Sequence, residues 1–143
     1  MRCIPLTTLL LVTSLASSAA ADDPVRLLFS VEELQERISD PHLRLVDVRP
    51  RDSYEAGHIP GAVHVDLNDW KSLALSPGGL HDEAAWSERV GRLGVTPEMQ
   101  VVVYGEHPTD ATRAWWTLKY VGVEHVAILD GGWAAWKAAN GPV

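Results

Sequence analysis

The spacing of apolar and polar positions changes several times along the chain, and each change marks an element. Residues 43–48 (Leu-Arg-Leu-Val-Asp-Val) alternate and are rich in branched side chains, which predicts a strand. Residues 101–104 (Val-Val-Val-Tyr) and 126–129 (Val-Ala-Ile-Leu) are short unbroken apolar runs, as in strands covered on both faces. Residues 25–29 and 62–65 add two more short strands. Between the strands the period lengthens to that of a helix. Ser30 and Glu33 form a capping box in which Glu33 reaches back; Leu34 and Ile38 then face inward, and Asp40-Pro41 stops the helix. One helical turn is expected over 52–56. Residues 82–93 set Ala85, Trp86, Arg89, Val90 and Leu93 on one side before Gly94. Residues 111–121 align Ala111, Ala114, Trp115 and Leu118 before Gly122, and 133–139 form a last short helix closed by Asn140-Gly141-Pro142. Residues 68–80 hold a Pro77-Gly78-Gly79 turn and no legible period. Strands alternating with helices predict an α/β fold, a central parallel sheet with helices on both faces.

The first 21 residues stand apart from this pattern. Arg2, a mostly apolar run over 4–16 and the small residues Ala19-Ala20-Ala21 have the form of a secretory signal peptide, too short to span a bilayer. The expectation is a leader over 1–21, one domain over 22–143, a periplasmic or secreted location, and no membrane attachment after cleavage. The single cysteine, Cys3, lies in the leader, so the mature chain would carry no thiol, disulfide or Cys-based metal site. A formal net charge of −7 without any basic cluster argues against nucleic acid as a partner. The six histidines show no ligand spacing, and neither a metal nor another cofactor is expected.

Two motifs and one loop carry the candidate chemistry. The first motif is Asp47-Val48-Arg49 followed by Tyr54-Glu55-Ala56-Gly57-His58-Ile59-Pro60-Gly61-Ala62. Asp47 at a strand end can hold loop N–H groups, Arg49 can pair with a carboxylate or carbonyls, and His58 reads as a hydrogen-bonding buckle. The second motif is Leu129-Asp130-Gly131-Gly132-Trp133-Ala134-Ala135-Trp136, whose tryptophans close the core. Gly57, Gly61, Gly131 and Gly132 are expected in turns that need positive φ or close backbone approach. Between the motifs lies the loop Gly105, Glu106, His107, Pro108, Thr109 and Asp110, after a strand and before a helix, where an open α/β sheet binds ligands.

Together these segments resemble the two signatures and the active-site position of rhodanese domains, a family of sulfurtransferases built on a parallel sheet. The resemblance covers residues 28–143. In catalytic members a cysteine follows the Tyr-ending strand, and a six-residue loop of backbone N–H groups stabilises its thiolate and persulfide. The corresponding residue here is Gly105, and the loop's last residue, often basic in the family, is Asp110. Glu106 and Asp110 would repel an anionic sulfur donor, Pro108 removes one N–H group, and Asp110 can cap the following helix. That capping role also argues against Asp110 as a substitute nucleophile. The Arg113-Ala114-Trp115-Trp116 run, with Asp130-Gly131-Gly132-Trp133, is most similar to the cysteine-free first domain of tandem thiosulfate/3-mercaptopyruvate sulfurtransferases. The resemblance therefore implies a vestigial loop over Gly105–Asp110 and no catalytic residue. Its partner would be a second, Cys-bearing rhodanese domain or another periplasmic protein. A stand-alone periplasmic binding or regulatory module is the alternative.

Overall fold

The central strand of the molecule is a run of valines because both of its faces are covered. The computed structural model describes residues 26–143; the leader and the Val25 end of the first predicted strand lie outside the described residues. Strands β1 (Leu28–Phe29), β2 (Leu43–Asp47), β3 (Val63–His64), β4 (Gln100–Tyr104) and β5 (Val126–Leu129) form one sheet in the order β1-β5-β4-β2-β3. Every pairing is parallel. The pleat of β4 divides its side chains between two cores. Val101 and Val103 join Val46, Trp86, Ala114 and Leu118 beneath helices α3 (Leu67–Ala74), α4 (Glu83–Arg92) and α5 (Pro108–Tyr120). Val102 and Tyr104 join Leu34, Leu45, Leu129 and Trp136 on the other face, covered by α1 (Val31–Arg37) and α6 (Gly132–Ala138). The remaining α-helix, α2 (Arg51–Ala56), buries no side chain and forms part of the crossover from β2 to β3, and a short 3-10 turn spans Gly79–His81. The predicted α/β architecture is the one observed.

Three local expectations are corrected. Residues 68–80 contain a helix, α3, capped by Asp66, whose carboxylate accepts from the Asn68 N–H at 2.8 Å. The capping box at α1 is half formed. Ser30 Oγ accepts from the Glu33 N–H at 3.1 Å, but Glu33 turns away and accepts from Arg26 at 2.6 Å. Helix α5 begins at Pro108 rather than at 111, with His107 as an N-cap whose side chain makes no capping bond. Proline favours the first helical position because its fixed φ suits the helix and its missing N–H would go unpaired there anyway.

No helix among the described residues is long and apolar enough to cross a membrane.

Candidate functional site

Register determines which loops meet. Asp47 lies opposite His64 on β3 and Tyr104 on β4, so three strands end at one level. Val48 then donates its N–H to the Tyr104 carbonyl at 3.0 Å, and Trp133 donates its N–H to the Gly105 carbonyl at 3.0 Å. The turn after β5 is thereby stitched to the loop after β4. Gly131 and Gly132 adopt φ of 72° and 57°, and a Cβ on Gly132 would lie 2.7 Å from the Gly105 carbonyl oxygen. Glycine is required there by both backbone conformation and space. Gly61 also has the expected positive φ, 80°.

Under these loops lies a buried charge pair. Arg49 is 4% exposed and Asp47 is fully buried. Arg49 Nη2 donates to the Asp47 carboxylate at 2.7 Å and to the Gly57 carbonyl at 2.7 Å, while the Arg49 N–H donates to Asp47 Oδ1 at 2.9 Å. The indole of Trp133 lies over the guanidinium, 3.8 Å from Cζ to the ring centroid. A delocalised cation against an aromatic face gains electrostatic attraction in a desolvated setting. Burial opposes the charge on Arg49, but hydrogen bonding to Asp47 and its negative charge outweigh that and raise its pKa above the ordinary guanidinium value. Tyr104 completes the cluster by accepting the Ile59 N–H at 3.1 Å. Burial, and then the Asp47 carboxylate, push its phenol well above the ordinary 10.0, so it stays neutral.

His58 takes the part of a buckle: its Nδ1 lies 2.9 Å from the Tyr54 carbonyl and its ring stacks on Tyr54 at 3.9 Å. The Tyr54 hydroxyl donates to the Ala62 carbonyl at 2.9 Å, and His64 Nε2 lies 2.9 Å from the Arg49 carbonyl. Both histidines are thus engaged with backbone, and no group of three or more potential metal ligands occurs among the described residues.

The segment from Gly105 to Asp110 is only half a loop. Gly105 is buried, Glu106 and His107 are exposed, and Pro108, Thr109 and Asp110 already form the first turn of α5. Asp110 therefore does not cap the helix. It sits in the first turn, where its charge opposes the positive end of the dipole. The Asp110 and Ala111 N–H groups donate to the His107 carbonyl at 3.2 and 3.5 Å. The amides of Glu106, His107 and Thr109 have no protein acceptor among the described residues. Three open cavities surround this segment. One of about 370 Å³ is bounded by Gly105, Pro108, Trp115, Ile128 and Gly132, and one of about 620 Å³ by Arg49, Ser53, Trp133, Lys137 and Asn140. Glu106 lines both. Asp110 opens instead onto a third, of about 360 Å³, beside Arg113 and His64.

The site thus gathers Asp47, Arg49, Gly131 and Gly132 around Gly105, while His58 is held against Tyr54. Arg113 and Asp130 remain exposed on the surface. Sequence reading missed Tyr104 as a partner of Asp47 and Trp133 as a lid on Arg49. The first was detectable as a tyrosine ending the strand beside the one that ends in Asp47. The second depends on folding and left no local signal. Chemically, the arrangement can position a ligand and offer it amides. It presents no side-chain nucleophile at Gly105, and its buried cation is already neutralised.

The profile of the family described as Rhodanese-like domain matches residues 30–139. A putative thiosulfate sulfurtransferase, SseB of Mycobacterium tuberculosis, is 35% identical over 140 residues, spanning 94% of this chain and 45% of that protein. A probable 3-mercaptopyruvate sulfurtransferase of Pseudomonas aeruginosa is 36% identical over 128 residues, 79% of this chain and 45% of its own length. The chain spans less than half the length of these curated relatives. Among solved structures, the 3-mercaptopyruvate sulfotransferase SseA of Escherichia coli superposes with a TM-score of 0.67 at 31% identity, covering 82% of this chain and 52% of that one.

Proposed function

The chain belongs to the rhodanese-like domain family of sulfurtransferases, and from that membership we propose that it is an exported, non-catalytic domain, the structural half of a tandem sulfurtransferase. One observation carries the reading: Gly105 is buried between β4 and α5, the position where, by the resemblance, catalytic members carry their cysteine. Sulfur transfer requires a thiolate that takes the outer sulfur of thiosulfate as sulfite leaves. The resulting persulfide yields that sulfur to cyanide as thiocyanate and regenerates the thiolate. With Cys3 as the chain's one cysteine, residues 22–143 contain no atom that can serve. Glu106, in the walls of both cavities that flank the loop, further opposes an anionic donor. The partner in this reading is a second domain that bears the cysteine, and the share of its relatives that the chain spans accords with half of such a pair.

The test has three parts. Purified 22–143 chain should release thiocyanate from thiosulfate and cyanide at the uncatalysed rate; faster release overturns the inactive assignment. The reading frame beyond the Val143 codon should continue into a Cys-bearing rhodanese domain; a stop codon there, with no such domain encoded alongside, favours the stand-alone binding module instead. Intact mass of exported material should begin at Asp22, and recovery of uncleaved protein in the cytoplasm alone refutes export.

A further inference from the structure

The outer faces of α3 and α5 carry an apolar surface that the sulfur-transfer reading leaves unused. The two helices bury Trp70, Leu73, Ala114 and Leu118 inward. Facing outward, Leu75 is 75% exposed, Trp116 48% and Tyr120 45%. Trp116 and Tyr120, one turn apart on α5, stack at 5.3 Å with an interplanar angle of 24°. The platform is therefore built before any partner arrives, and little side-chain freedom remains to be lost on binding. Beside it runs a groove of about 190 Å³ between the helices, walled by Leu67, Trp70, Ala74, Leu75 and Trp116.

Charge defines the occupant. In a chain of net charge −7, the groove's two charged lining residues, Lys71 and Arg113, are both basic. Neither has a carboxylate within ion-pair distance among the described residues. The nearby acids are engaged or face elsewhere. Asp69 pairs with Arg89 at 2.8 Å, Asp66 caps α3, and Asp110 lines the neighbouring cavity, which Arg113 also borders, without pairing with Arg113. A second copy docked here about a two-fold axis would set the same patch against itself, bringing Lys71 and Arg113 toward their own duplicates. An acidic partner meets no such repulsion. Trp, Tyr and Arg are also the side chains that most often dominate binding energy at protein interfaces.

We propose that the α3–α5 face is a docking surface for an acidic protein segment, one that seats an aromatic or leucine side chain in the groove between flanking carboxylates. The surface shares no residue with the Gly105 loop, so the proposal stands whether or not the chain transfers sulfur.

A random dodecapeptide display library is the probe. It is selected on the 22–143 chain and counter-selected on the Lys71→Glu/Arg113→Glu variant, whose exposed substitutions leave both cores untouched. Enriched peptides should combine an apolar anchor with two or more Asp or Glu. The best of them should bind about tenfold more weakly to Trp116→Ala and to the charge variant. Replacing its acids by lysine should reverse the preference between wild type and charge variant. Amide shifts on binding should cluster on α3 and α5. Enrichment of basic or uncharged peptides, no enrichment at all, or shifts centred on Gly105 each overturns the proposal. Concentration-dependent self-association abolished by Trp116→Ala assigns the face to a second copy and overturns it equally.

Discussion

Placing a thiol at Gly105 asks whether the loop has room for one. Gly105 is not at positive φ, so a side chain there brings no backbone strain. Space is the obstacle: a Cβ would lie 3.1 Å from Val48 Cγ2 and 3.4 Å from the His107 carbonyl oxygen. The Val48 methyl must give by a few tenths of an ångström, within a core where Val48 is itself buried. Overpacking on that scale costs about 1 kcal/mol, at the low end of the usual range. Val48→Ala alone should cost about 2 kcal/mol, from the two methyl groups it removes. In the double variant the cysteine fills part of the space that the valine leaves. Gly105→Cys/Val48→Ala should therefore be more stable than the sum of the single effects by about 1 kcal/mol.

Urea midpoints of the four proteins measure this coupling, and iodoacetamide rates against pH measure the thiol. Its Cβ would stand 3.8 Å from the Ala111 N–H, close to the start of α5, so it should titrate below the free-cysteine value of about 8.5. Because residues 22–143 hold no other cysteine, persulfide formed with thiosulfate is read directly as one added sulfur by mass spectrometry. Turnover should remain poor, and Glu106→Gln should raise it more than Asp110→Asn, since Glu106 lines the cavities flanking Gly105 and Asp110 does not. The difference should shrink in high salt, as expected for screened charges. Additive stabilities, together with a thiol titrating at or above about 8.5, would refute the reasoning that Val48 crowds this position while the start of α5 still favours a thiolate there.

Three further predictions follow from the same cluster. Gly132→Ala should lower stability by about 1–3 kcal/mol through positive φ and collision with the Gly105 carbonyl, and an unchanged urea midpoint would remove that contact from the account. Arg49→Met should cost about 3–5 kcal/mol because it strands the Asp47 charge in the interior, whereas exposed Arg51→Met should cost under about 0.5 kcal/mol; equal losses would contradict the burial argument. Tyr104 is held protonated in the folded state above its unfolded pKa, so its contribution is complete below about pH 10 and fades as pH rises beyond that. Tyr104→Phe should be less stable than wild type by about 1–3 kcal/mol at neutral pH, because the Ile59 N–H loses its acceptor, and the gap should narrow in alkali; parallel pH profiles would show that the phenol does not titrate as described.

What could be read from the chain, and what could not, divides along physical lines. The strands were legible because a strand buried on two faces must be apolar almost throughout, and 101–104 and 126–129 are. Helix α3 escaped because its polar start, Asn68-Asp69, runs on to a Pro77-Gly78-Gly79 turn, although Asp66 as cap and Trp70, Leu73 and Ala74 at helical spacing were present. Laying a six-residue loop over 105–110 concealed the start of α5 and made Asp110 a cap, while Pro108 at the first helical position was the stronger local signal. Glu33 was drawn from its capping box by Arg26, a competition between two acceptable partners that spacing cannot settle. Trp133 over Arg49 is of another kind: the two residues lie far apart in sequence, and only the fold shows that they meet.

That division also explains how this site can lack a nucleophile and remain a well-formed structure. The groups that hold the loops together are the Asp47–Arg49 pair, the Tyr104 hydroxyl, the Trp133 N–H and the Gly131-Gly132 turn. Each of their bonds runs to backbone or to another member of the cluster. At Gly105 only the carbonyl is used, and every residue type has one. A side chain at that position is therefore unnecessary for folding, and its absence frees the space that Val48 now closely borders. In the non-catalytic reading proposed above, the loops hold their arrangement without a nucleophile, and installing one is hindered. A thiol must displace a packed methyl group before it can meet a donor, and Glu106 then stands in the donor's way. On that reading the obstacle to installing the chemistry resides in Val48 and Glu106 rather than in the glycine itself.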